Sequence, residues 1–555
     1  MNLRRLTAPN TASLSSRFAL APLLLLLAIQ LVALAGFVFD FTISAFTLPI
    51  AAALLLVVSA IFDRRLLVAS VVSIALLTLW CGVCGLVFDA SFDAMYYHKE
   101  AVIALAEGWN PLSQSVLQAD PFAGYQQLAL WLDNYPKGLW ICSSSIYALT
   151  GVLETAKAVN LLFLLSVFAA SFDTLKRVYD FKDGKAAAFA ALFAANPVFL
   201  YQLFTFYNDL AVGCLLLLIL LGGIRIVSHK MDFHTYAVLM LAVCLCCSIK
   251  FTAPVLAAFI LLAFGVCYAF CIKWELRRLR TPAAIILLGF AFGAAVLGFD
   301  PYIEHLVGGR HLFYPVMGEA EIDIMYNNAP DSFANKSNVR QMTESLFART
   351  DNTLNAEPQL KLPLRIYPDE FESLSNADIR LGGFGMLFSG VLCLSVLLAL
   401  IMAVYRTKMR AATAASLAVL ALLALFFPET WWARYASYIY YIPLLLLIYA
   451  QDTQDRGGQR TPFGWLGALQ YILTVVNAIL ILAAVVSAAV DTRRDIDARL
   501  SAVSEAAQGR TVVLRVNDFP SHIKLFEESG IRFEVSHTAL SDPQIFYRTT
   551  KYQFK

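Results

Sequence analysis

The amino-acid sequence predicts an all-α polytopic membrane protein of about 13 transmembrane helices, with large external loops and a small α/β unit at its C-terminal end. Hydrophobic residues make up 59% of the chain and charged residues only 15%, and mean hydropathy is +0.66, outside the range of water-soluble domains. Apolar runs of about 20 residues, the helical length that crosses a ~30 Å hydrocarbon core, recur from end to end. Lys/Arg clusters fall in every second connection between them. A net charge of +2 gives no electrostatic footprint for nucleic acid. The ten cysteines lie almost entirely in apolar stretches, so neither a disulfide framework nor a thiolate zinc site is expected.

Met1–Arg17 is basic and rich in Ser and Thr. The apolar run 18–39 that follows is too long for a signal-peptide core and lacks a small-residue cleavage site, so it reads as a retained span. Further spans are expected near 44–62, 66–88, 155–174, 186–206, 210–226, 235–250, 252–272, 282–298, 383–404, 411–427, 435–450 and 465–490. Segment 137–152 is shorter and Ser-rich and reads as a re-entrant or interfacial helix. The basic clusters are Arg4, Arg5 and Arg17; Arg64 and Arg65; Lys176 to Lys185; Arg225 and Lys230; Lys273 to Arg280; Arg406 to Arg410; and Arg456 and Arg460. With these spans they all fall on one side, the cytoplasmic side by the positive-inside rule. Counting 137–152 as a full span breaks that agreement.

The opposite side then receives the loops 89–154 and 299–382, the turns at Asn208-Asp209, Lys250 and Pro428–Tyr435, and the tail. This divides the chain into a membrane domain, 1–490, and a soluble external unit, 491–555. In the tail, Thr511–Val516 and Ile531–Val535 are strand-like and Pro520–Ser529 is helix-like. The unit is too small for a large core and is expected to dock on the external loops.

Directly after the third span stands Phe88-Asp89-Ala90-Ser91-Phe92-Asp93-Ala94-Met95-Tyr96-Tyr97-His98. Two carboxylates, two tyrosines and a histidine are costly to hold at a lipid–water boundary and mark a candidate site, against the plainer reading of a solvated loop. Residues 96–107 fit a short amphipathic helix lying on the membrane plane, ended by Gly108 and Pro111. Asp209 either faces Asp93 as a second carboxylate or caps the next helix. Lys250, between two apolar runs, is a phosphate partner or a lysine snorkelling to the interface. Arg434, among Trp431, Trp432 and Tyr435, either grips phosphate bidentately or anchors an aromatic belt. The loop 299–382 opens at Asp300-Pro301-Tyr302-Ile303-Glu304-His305, passes through Arg310, His311 and Tyr314-Pro315, and closes at Asp378–Gly385. A connection this long rarely lacks a function, and it holds no histidine pair at metal-ligand spacing.

In their order and shared sidedness these motifs resemble the GT-C superfamily of polytopic glycosyltransferases, which includes the protein O-mannosyltransferases and the lipid A aminoarabinose transferase. The likeness is carried by the Asp-x-x-x-Tyr-His of Asp93 to His98, Gly-Trp-Asn-Pro at 108–111, Tyr-Pro at 314–315, Arg-Leu-Gly-Gly-Phe-Gly at 380–385 and Trp-Trp-Ala-Arg-Tyr at 431–435. It covers about residues 66–450. Two extra spans precede the first loop, and the tail is not shared across the superfamily. The resemblance implies transfer of a sugar from a polyprenyl-phosphate carrier to a glycan, lipid or protein acceptor at the external face of a bacterial inner membrane, with the N-terminus cytoplasmic and the C-terminus external. Asp93 maps to the first-loop acid, the general base of a single inverting displacement, with Asp209 as a second catalytic acid. Tyr97, His98, Lys250, Arg310, His311, Tyr314 and Arg434 would bind substrate. Relatives differ over a divalent metal, for which Asp93 and Asp209 are the candidate ligands.

Other readings stay open. A flippase or transporter of a lipid-linked glycan predicts broken helices at the midplane and internal repeats, and no clear repeat is present. A polymerase or ligase would join whole glycans from a diphosphate carrier. A non-catalytic assembly partner would keep the fold without the chemistry.

Overall fold

The computed structural model describes residues 13–119, 122, 125–318, 324–428, 430–457 and 462–555. Arg4, Arg5, Glu429 and Arg460 lie outside the described residues. The chain begins with α1 (Leu14–Val38), α2 (Thr47–Phe62) and α3 (Arg64–Gly85). The first long loop carries a π-helical turn at Ala94–His98, then α4 (Lys99–Ala106), α5 (Gln126–Leu132) and α6 (Gly138–Thr150). A 3-10 segment, Leu153–Val159, leads into α7 (Asn160–Tyr179), followed by α8 (Asp183–Ala194), α9 (Pro197–Tyr201), α10 (Asp209–Val227), α11 (Phe233–Ile249), α12 (Thr252–Cys271) and α13 (Arg280–Phe292). The second long loop holds the short helices α14 (Glu304–Val307), α15 (Ile324–Asn328), α16 (Asn338–Leu346) and α17 (Glu370–Ser373). Four more helices follow, α18 (Phe388–Val404), α19 (Ala411–Phe426), α20 (Tyr441–Gly457) and α21 (Pro462–Ala507).

Among the described residues, seven helical segments are long and apolar enough to cross a membrane, and α2, α11, α18 and α19 are shorter apolar helices. At the centre stands α10, apolar on every side and buried along its whole length, as a helix enclosed by other helices must be. It packs on α7, α11, α12 and α19.

Several expectations are corrected here. The span expected at 186–206 is broken between α8 and α9. Pro197 takes the first position of α9, where its missing N–H costs nothing, and the Asn196 side chain accepts the Val198 N–H. The boundary expected at 490 falls inside α21, which runs on without interruption to Ala507. Helix α4 does not lie on a membrane plane: Lys99 to Leu105 are all buried. It packs on α6, and the C-terminal unit covers it, with the Ser521 N–H donating to Glu100 Oε1 (2.9 Å).

The two ends of the bundle differ in character. Arg225, at the far end of α10 from Asp209, pairs with Asp173 and Asp232, which also hold Arg177. Asp173 in turn accepts from Ser15 in the first turn of α1 (2.9 Å), and Arg17 pairs with Asp63 (2.6 Å). Arg410 and Arg456 share Asp452. The 19 residues of α10, at ~1.5 Å each, separate this basic end from the end that holds both long loops.

The C-terminal unit forms β1 (Val512–Arg515), α22 (His522–Glu528), β2 (Phe533–Val535), β3 (Gln544–Tyr547) and β4 (Thr550–Phe554). The sheet order is β2-β1-β4-β3, with β1 and β2 parallel and the other pairs antiparallel. The β3–β4 hairpin was not expected, because its turn lacks the usual glycine or asparagine. Arg548 takes the left-handed conformation there instead, with φ of 49°. The unit docks on the first loop through Glu100, through Lys524 to Glu107, through Glu528 accepting the Leu153 N–H, and through Arg548 donating to the Ala90 carbonyl.

Candidate functional site

Four breaks in helical structure meet at the loop-bearing end of the bundle. The first is the segment after α3, held by Asp89. Its buried carboxylate accepts the Ser91 N–H (2.9 Å) on one oxygen and the Phe206 N–H (2.8 Å) on the other. One side chain therefore joins the segment that carries Asp93 to the turn that carries Tyr207 and Asp209. Behind it, Glu154 pairs with both Lys99 and Lys157, and these lysines also donate to the carbonyls of Asp89 and Val87.

The second break is the 202–208 turn. Asn160 donates to the carbonyls of Gln202 (3.2 Å) and Thr205 (2.9 Å), and Gln202 accepts the Leu210 N–H and donates to Asp209 Oδ2 (3.2 Å). The third is Lys250, whose extended backbone ends α11 and whose ammonium pairs with Asp209 Oδ1 (2.5 Å) and lies over the Tyr435 ring. The fourth is the 3-10 turn Ala433–Tyr435, whose N–H groups donate to the carbonyls of Arg380 and Ile379. That pairing brings the end of the long loop, and with it Asp378, into the site.

Arg434 is the hub. Its Nη1 lies 3.0 Å from Asp93 Oδ2 and 3.3 Å from Asp378 Oδ1, and its Nε lies 3.8 Å from Asp209 Oδ2. Its Nη2 donates to the Tyr435 hydroxyl (2.8 Å), and the guanidinium lies against the rings of Tyr207, Trp432 and Tyr435. Asp378 also accepts from Trp432 Nε1 (3.0 Å) and pairs with Arg380 (2.8 Å). The site thus sets three carboxylates against Arg434, Lys250 and Arg380.

These groups border a cavity of about 1050 Å³ whose walls include Asp93, Tyr97, Tyr135, Lys250, Asp378 and Arg434. Val485 and Ala488 of α21 and Arg548 of the C-terminal unit close other sides. The acids are not equivalent. The side chains of Asp93 and Asp378 remain 21% and 19% exposed, whereas that of Asp209 is 5% exposed. Asp209 is committed to Lys250, Gln202 and Arg434 and does not line the cavity. Asp93 and Asp378 are the acids of this set that can reach a ligand.

Burial raises the Asp93 pKa above the usual carboxylate range; Arg434 opposes the shift, and Asp378 and Asp209 add to it. Burial alone would lower the Lys250 pKa, but Asp209 and Tyr435 outweigh it and the ammonium is held charged. Burial likewise works against the Arg434 charge and is overcome by Asp378, Tyr435, Asp93 and Asp209.

Other expected site residues fall elsewhere. His98 is buried behind Tyr97, with Nδ1 accepting from Trp140 Nε1 (2.8 Å), and does not line the cavity. Burial, reinforced by Lys250, pushes its pKa down to about 3, so the ring is neutral. Arg310, His311 and Tyr314 also stand apart from the cavity. Asn134 captures Arg310 (3.0 Å), Arg310 lies over the Tyr314 ring, and His311 Nδ1 accepts the Phe313 N–H. A metal held between Asp93 and Asp209 does not fit, because the Arg434 guanidinium stands between those two carboxylates. No group of three or more His, Cys, Asp or Glu suited to a metal occurs among the described residues.

Sequence reading did not single out Asp378, Arg380, Tyr207 or Trp432 as site residues. Asp378, Arg380 and Trp432 lie inside segments it did quote, at the end of the long loop and beside Arg434, and Tyr207 stands two residues before Asp209. No protein-family model matches this chain, and no curated protein matches it.

Proposed function

We propose that the protein is a membrane glycosyltransferase of GT-C type that moves a sugar from a polyprenyl-phosphate donor to an acceptor at the loop-bearing, external face of a bacterial inner membrane. On this reading α2, α11, α18 and α19, together with the broken pair α8–α9 and α20, also span, giving about 13 crossings with the C-terminal unit outside. One observation carries the reading. Asp93 faces a large cavity with its proton affinity raised, while Arg434 and Lys250 present fixed positive charge beside it.

The chemistry follows from that placement. Asp93 takes the proton of an acceptor hydroxyl as its oxygen bonds to the anomeric carbon. The bond from that carbon to the phosphate oxygen breaks, and the carrier leaves as a phosphate monoester. Its developing charge falls to Arg434 and Lys250, which are already desolvated and oriented, so little reorganisation accompanies the step. The donor and acceptor are brought together with no covalent enzyme intermediate, and the anomeric configuration inverts.

The test is consumption of a radiolabelled polyprenyl-phosphate sugar pool by membranes carrying wild type or Asp93→Asn at matched protein levels. The expected result is turnover by wild type and a loss of about 10²–10⁴-fold in the variant, the usual worth of a general base. Donor consumption by Asp93→Asn at the wild-type rate would remove the base assignment, and no consumption by wild type would remove the transferase reading.

A further inference from the structure

Beside the cavity lies a second, more open groove of about 800 Å³. Phe92, Tyr96 and Trp131 line both spaces, so the groove meets the cavity across one aromatic wall. Phe92 is the chain neighbour of Asp93. The rest of the groove carries Gln126 and Gln127, at the start of α5, and Asp518 from the C-terminal unit. Phe92 is 52% exposed, and its ring stacks on that of Tyr96 at 5.3 Å with 17° between planes. Both glutamines and Asp518 are exposed as well.

We infer that this groove binds a neutral oligosaccharide, the acceptor chain, and leads its terminal hydroxyl to Asp93. The electron-rich faces of Phe92, Tyr96 and Trp131 suit the C–H faces of sugar rings. The two side-chain amides donate and accept, and the carboxylate accepts, which matches neighbouring hydroxyl pairs. The volume lies within the ~300–1,000 Å³ of sites that hold compact organic ligands.

Charge separates the two spaces. The cavity presents Lys250, Arg434 and Arg380, suited to the phosphate of a donor. The groove's only ionised lining group among the described residues is the Asp518 carboxylate, which repels a phosphorylated or carboxylated acceptor and an anionic lipid headgroup alike. This inference rests on Asp93 acting as base toward a sugar donor, and it names the class of acceptor. The groove is also built jointly by the first loop and the C-terminal unit. That gives the tail a role in acceptor choice.

The test measures binding and does not depend on turnover. Full-length protein in lipid nanodiscs, free of sugar-headed detergent, is titrated with cellohexaose, maltohexaose and chitohexaose by calorimetry. Saturable binding of at least one is expected. It should weaken by at least about tenfold in Trp131→Ala and several-fold in the double variant Gln126→Ala/Gln127→Ala, whose exposed side chains can be removed without disturbing the fold. Absence of binding by all three, or binding that the double variant and Trp131→Ala both retain, overturns the inference. Displacement of a bound hexasaccharide by vesicles of anionic phospholipid overturns it too, by reassigning the groove to headgroups. A hexasaccharide that binds through Trp131 in a protein that consumes no lipid-linked donor leaves the groove standing and removes the transferase reading instead.

Discussion

At the scale of single residues, the site is governed by how many acids share one cation. Arg434 serves Asp93, Asp378 and Asp209 at once. Losing one of these acids leaves it paired, whereas losing Arg434 leaves three carboxylates short of a partner. Asp93→Asn is therefore expected to keep a Tm at neutral pH no lower than wild type, while transfer is lost; thermal unfolding followed by tryptophan fluorescence checks it. Arg434→Ala is expected to destabilise by about 3–5 kcal/mol, the usual cost of breaking a buried pair from one side, with Arg434→Lys restoring folding but not the forked grip on phosphate that the proposed mechanism requires. The rate should depend on pH as well. On the proposed mechanism Asp93 is a base only when ionised, and its pKa is raised, so transfer should rise with pH through that raised value and flatten above it. A rate already flat from acidic pH upward would mean that Asp93 is not the group that titrates. The sequence pointed to Asp93, Lys250 and Arg434, which the structure brings to one cavity wall, because a charge between two apolar runs needs a reason to be there. It misplaced His98 and Arg310 because residue type does not reveal direction: His98 turns inward to Trp140, and Arg310 is held by Asn134.

At the scale of elements, the loop-bearing end holds its cavity because helices are interrupted there by specific side-chain links. Asp89 is the clearest case, since its carboxylate accepts N–H groups from two different connections. Asp89→Ala would strand both N–H groups in a buried place. At about 1.5–3 kcal/mol for a hydrogen bond to a charged group, the loss should be on the order of 3 kcal/mol, read as a lowered Tm. Asp89→Asn, which keeps one acceptor oxygen, should recover part of it. An unchanged Tm in Asp89→Ala would show that the two connections hold their course without this link. Most helices were legible from apolar run length alone. The break at Asn196-Pro197 was signalled by the residues but hidden inside an apolar window. The burial of α4 was not legible, because its cover is the C-terminal unit, some 400 residues further along by the separation of Glu100 from Ser521.

At the scale of the whole molecule, the C-terminal unit sits as a cap on the first loop, and one buried acid makes its docking sensitive to pH. Glu100 is fully buried, with Oε1 accepting the Ser521 N–H and Oε2 without a hydrogen-bond partner. Burial pushes its pKa up to about 8, although the Ser521 bonds and Lys99 oppose the shift. The other titratable groups around it do not offset the charge. His522 is held neutral, its pKa pushed down to about 3 by burial, and Lys99 is already committed to Glu154 and the Asp89 carbonyl. An unfolded or undocked Glu100 would titrate near ~4.3. The docked form therefore binds more protons than the undocked one between that value and about 8, and the docked state loses stability as pH rises through that window. Below it both forms are protonated and the dependence vanishes. Protection of the 507–511 connection from protease, or the Tm, should accordingly fall from about pH 4.5 up to about pH 8 in wild type and level off above that. Glu100→Gln keeps an acceptor for the Ser521 N–H but carries no titrating proton, so it should flatten that slope and be the more stable form at the alkaline end. A slope that persists in Glu100→Gln would place the titrating group elsewhere in the interface.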